Sequence, residues 1–65
     1  MTIKELHDIT GSNTKIFISW DGSINELDRE NSLVMEAYGR FTVARINPMS
    51  ETTIEAIIKA IPATN

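Results

Sequence analysis

At 65 residues the chain reads as a single small domain, one that buries only about 60% of the surface its unfolded form exposes. It has no cysteine and a single histidine, His7, which excludes disulfides, thiolate metal sites and a zinc cluster built on imidazoles. A net charge of −3 with 42% hydrophobic residues fits a folded acidic protein and argues against a basic phosphate-binding surface.

Taken in chain order, Thr2 followed by Glu5 forms a capping box and predicts a short helix from Ile3 to about Ile9, with Gly11 just past its end. Gly11-Ser12-Asn13 reads as a loop. Lys15-Ile16-Phe17-Ile18-Ser19-Trp20 is dense in β-branched and aromatic residues and reads as a strand, ended by the turn dipeptide Asp21-Gly22. That hexapeptide resembles the first strand of TIR-type domains, where a similar string opens a parallel sheet. The likeness covers six residues and nothing after Trp20 follows that family's pattern, so no activity is carried over from it.

The stretch 23–38 supports two readings. In one, Ser23-x-x-Glu26 caps a helix that runs to Tyr38 and stops at Gly39. In the other, 32–38 is a strand and Gly39-Arg40 is a two-residue hairpin turn. The mediocre helix formers Asn25, Asp28, Asn31 and Ser32 favour the hairpin. Phe41–Ile46 is a further strand candidate, closed by Asn47-Pro48. Ser50 as N-cap, Met49 and Ile54 as a hydrophobic staple, and Ile54, Ile57, Ile58 and Ile61 at helical spacing predict an amphipathic helix over 51–61, stopped by Pro62. The expected fold is α+β: a small antiparallel sheet of about three strands, with the C-terminal amphipathic helix packed on one face and the short N-terminal helix beside it.

The chemistry the residues offer is binding rather than catalysis. Asp21-x-Ser23-x-Asn25 opens like a calcium loop, but the sixth and twelfth positions hold Glu26 and Ser32 where glycine and glutamate are needed. No Gly-x-Ser-x-Gly occurs, and the three glycines are scattered, which removes the nucleophile elbow and the phosphate loop. No enzyme activity, metal or cofactor is expected. Charge is uneven: between Asp21 and Glu36 lie five acids against the single base Arg29. Trp20, at the rim of its strand, is a candidate interface anchor, and Asp21, Glu26, Asp28 and Glu30 would give it a negative rim.

The leading expectation is therefore a small acidic interaction module that binds, and in one version inhibits, a larger protein with a basic surface. In size and acidity it is similar in type to phage- and plasmid-encoded inhibitory proteins. The alternatives are a homo-oligomeric structural subunit and a ribbon-type DNA-binding regulator using Arg40 and Arg45. The acidic balance weighs against nucleic acid. An N-terminus without an apolar stretch, and no apolar run longer than three residues, predict a cytoplasmic protein with no membrane span.

Overall fold

The computed structural model describes residues 1–60, in the order α1 (Ile3–Ile9), β1 (Lys15–Trp20), β2 (Ser23–Glu26), α2 (Ser32–Tyr38), β3 (Thr42–Ser50) and β4 (Thr53–Ala60). The strands form one sheet in the spatial order β2-β1-β4-β3. β1 runs antiparallel to β2 and parallel to β4, while β3 and β4 pair as an antiparallel hairpin. The sheet is thus mixed and the class is α+β.

Local chemistry explains both helices. The Thr2 side chain accepts from the Glu5 backbone N–H at 3.2 Å, and Glu5 Oε1 accepts from the Thr2 N–H at 2.8 Å. This is the expected capping box, and α1 has the expected bounds. Asn31 caps α2, its Oδ1 accepting from the N–H groups of Leu33 and Val34. Gly39 ends α2, donating to Met35 O at 2.8 Å. A Cβ at Gly39 would run into that same carbonyl and into Lys4, whose N–H donates to Gly39 O at 3.0 Å. Glycine here is what lets α1 and α2 approach.

Both helices lie on one face of the sheet. Ile3 and Leu6 of α1 are buried with Ile16 of β1, Leu27 and Ala56 of β4, and Val34 and Met35 of α2 pack against them. Among the described residues, Ile3 and Ile16 are the large side chains that are fully buried, so the core they form is small.

Three expectations are corrected. Residues 53–60 form a central strand, not the C-terminal helix; Ile61 and Pro62 lie outside the described residues. β4 sits between β1 and β3, so both of its faces carry apolar side chains: Ile54, Ala56 and Ile58 toward the helices, Ile57 away from them. A strand apolar on both faces satisfies a helical spacing as readily as an alternating one. Glu51-Thr52 is the turn of the β3–β4 hairpin, with Ser50 paired to Thr53. The Ser50 hydroxyl does accept a backbone N–H, that of Thr52 at 3.2 Å, but in a turn rather than at a helix start.

The second correction concerns 23–38, where the favoured hairpin fails and the helix reading holds only over its second half. Residues 23–26 are a strand paired to β1 across Asp21-Gly22, which neither reading expected, and 32–38 are a helix rather than a strand. No hairpin forms at Gly39-Arg40. Third, the sheet has four strands rather than about three, is mixed rather than antiparallel, and carries its second helix in mid-chain. β3 also runs on through Asn47-Pro48, which an edge strand tolerates because the missing proline N–H can face outward.

Candidate functional site

Strand alternation decides where Trp20 goes. Ile16, Ile18 and Trp20 share the helix-bearing face of β1, and Trp20 stands at its end, where the helices no longer cover the sheet. Asp21 and Gly22 follow with φ of 49° and 83°, the two positive values a type I′ turn requires, and Trp20 pairs with Ser23. The turn fixes the position of the indole. At the same end of that face, α2 stops at Tyr38 and Phe41 leads into β3.

These three aromatics line one groove of about 390 Å³, with Ile18, Val34 and Ile58 beneath them. Trp20 and Tyr38 remain 40% and 43% exposed, although the core lacks large side chains. Tyr38 and Phe41 meet edge to face, with ring centroids 5.2 Å apart and planes at 84°. Asp28 also lines the groove, and no lysine or arginine does; Glu26 borders it from β2, but its pairing with Phe17 puts its side chain on the opposite face of the sheet.

Of the residues the sequence singled out, Trp20 and Asp28 are brought together in this groove, while the side chain of Glu26 is turned to the opposite face by its pairing with Phe17. Asp21 is beside the groove in the turn, exposed, and outside the lining. Glu30 is also outside the lining; it shares one depression with Glu26, Asp28, Lys15 and Arg29 and another with His7, Asp8 and Arg29. Tyr38 and Phe41 were missed as site residues. Their aromatic character was visible, but only the packing of α2 beside β1 brings them to the same groove as Trp20.

Arg29 is the other residue whose part was not legible. Its guanidinium crosses from the acidic segment to the end of α1 and uses every arm. Nε donates to His7 Nδ1 at 2.9 Å, and Nη1 donates to Gly11 O and Thr14 O at 2.8 and 2.5 Å. Nη2 donates to His7 O and Thr10 O at 3.0 and 2.7 Å. A planar fork of donors is matched here to four carbonyls around the end of a helix, two of which, His7 O and Gly11 O, also accept a backbone N–H. Leu27, whose N–H donates to Ile16 O at 2.8 Å, is buried just before it. Between these two anchors Asp28 is held at the groove.

A larger depression of about 750 Å³ lies between α1 and α2, but Lys4 and Arg40 share it with Glu5, Asp8 and Glu36, so it selects no charge. Arg40 is therefore on the helix side, whereas the register puts Lys15 and Arg45 on the opposite face, in different rows of the sheet. Among the described residues no three His, Asp or Glu side chains gather as metal ligands would, and no helix is long and apolar enough to cross a membrane. Comparison with family models, characterised proteins and solved structures found no match to this chain.

Proposed function

We propose that this chain is a protein-interaction module whose Trp20–Tyr38 groove binds a larger protein through a basic, partly apolar surface, and inhibits it by covering that surface. The observation that carries the reading is the coincidence of two exposed aromatics, Trp20 and Tyr38, with a groove lining that holds Asp28 and no lysine or arginine. Aromatic side chains supply large contact area at little entropic cost, and interface anchors are enriched in tryptophan and tyrosine. Carboxylates at the rim steer a basic partner and make association sensitive to salt. Where the covered surface normally holds nucleic acid, Asp28 would stand in for a phosphate.

The test is a titration of an amphipathic lysine- and leucine-rich peptide against the protein, followed by Trp20 fluorescence over a salt series. We expect saturable binding that weakens as salt rises and is lost in Trp20→Ala and in the Glu26→Gln, Asp28→Asn double variant. Binding indifferent to salt and to both variants would sink the reading.

A second reading rests on the opposite face of the sheet. Phe17, Ile24 and Ile57 lie there, half-buried or exposed, and among the described residues no helix covers them. A second copy of the chain stacked on that face would enlarge a core that is small alone. Light scattering over a concentration series separates the two: a particle of 7.3 kDa removes the homo-oligomer, and a stable dimer supports it.

A further inference from the structure

The groove's chemistry points to a specific group on the partner. We propose that Trp20, Tyr38 and Asp28 form a seat for one alkylammonium group, a lysine side chain or its methylated forms, held by the aromatic faces and paired with the carboxylate. The proposal deepens the reading of this groove as a partner site and depends on it.

Three observations carry it. Three of the chain's four aromatic residues line this one groove, which is close to the lower end of the about 300–1,000 Å³ typical of ligand sites. It is sized for a side chain rather than a folded segment. Next, an edge-to-face pair leaves one of its two rings with both faces unstacked by the other, and Trp20 has no ring stacked on it among the described aromatic pairs. Ring faces carry the negative part of the aromatic quadrupole and attract a cation within about 6 Å. Finally, Asp28 brings a carboxylate to the lining and, among the described residues, no lysine or arginine offsets it there. A purely apolar guest would strip water from this carboxylate without return, and an anion would be repelled. A cation with methylene or methyl groups meets both demands at once.

The chain has a single tryptophan, so its emission reports this groove alone. The experiment titrates the protein with tetramethylammonium chloride, with sodium chloride at equal ionic strength and tert-butanol as the charge-free control. A saturable change with tetramethylammonium alone is expected, weakened about threefold to tenfold in Asp28→Asn and in Tyr38→Leu, with circular dichroism confirming that both variants fold. Asp28→Asn keeps the backbone carbonyl that accepts from Asn31, so the loop is left intact. A response that is linear, matched by tert-butanol or unchanged in Asp28→Asn overturns the proposal. If the lysine- and leucine-rich peptide binds through Trp20 while tetramethylammonium does not, the ammonium seat falls and the groove remains the partner site. If neither binds, both fall.

Discussion

Arg29 shows how one side chain can set the geometry of a surface it does not join. Its five donors close the end of α1 and the loop before β1, and they do so from within the acidic segment. Replacing it by alanine removes the donor to Thr10 O, Thr14 O and His7 Nδ1, while His7 O and Gly11 O keep backbone donors, and we expect a loss of about 2–3 kcal/mol in chemical denaturation. Arg29→Lys should recover little of this, because an ammonium cannot reproduce the fork. Near-complete rescue by lysine would mean that charge, not geometry, is what matters there. Glu5 gives a second prediction at this scale. Accepting the Thr2 backbone N–H, and then the contact with the Thr2 side chain, holds its carboxyl below the usual 4.5. A lowered folded value contributes stability above the unfolded carboxylate range, and that contribution drains away as pH falls through the lowered value. Glu5→Gln should therefore flatten the decline of the melting temperature between neutral pH and about pH 3. An unchanged acid slope in that variant would count against the capping box as its source.

The elements differ in how much of them the sequence reveals. α1 is legible because its signal is local: Thr2 and Glu5 are three residues apart, and each side chain accepts the other's backbone N–H. β1 and its turn are legible for the same reason, with Asp21-Gly22 supplying the positive φ values. β4 is not, because its neighbours are far away in the sequence. Lys15–Ser19 on one side and Thr42–Ser50 on the other make Ile54 to Ile58 a strand, and neither contact leaves a mark on residues 50–60. The β-branched density of Thr52, Thr53, Ile54, Ile57 and Ile58 was the available counter-signal to helical spacing. The strand assignment makes a sharp prediction. Ala56 is fully buried under the helices in mid-sheet, so Ala56→Leu should overpack the core and cost about 1–3 kcal/mol in a denaturant melt. On an isolated helix the same change would be nearly neutral, so a neutral result would contradict the central strand.

For the molecule as a whole, the split of the sheet into a covered and an uncovered face decides which residues can act together. The sequence marked Trp20, Glu26 and Asp28 together; the fold sets Trp20 and Asp28 at one groove, while the pairing of Glu26 with Phe17 turns its side chain to the other face. Asp21 stays in the turn, and Glu30 lies outside the groove lining, in depressions it shares with Arg29. Charge counted along the chain does not register such a division. Tyr38 and Phe41 entered the site only through the packing of α2 on the sheet, a long-range event. Chemistry was thus readable where it depends on residue type, and unreadable where it depends on topology.

The central claim is that partners meet the aromatic groove and not the uncovered sheet face. The most direct measurement is the amide spectrum of isotope-labelled protein by NMR during titration with the lysine- and leucine-rich peptide. Perturbations concentrated at Trp20, Asn25, Leu27, Asp28, Tyr38 and Phe41 are what this account predicts. Shifts centred on Phe17, Ile24 and Ile57, or none at saturating peptide, would contradict it.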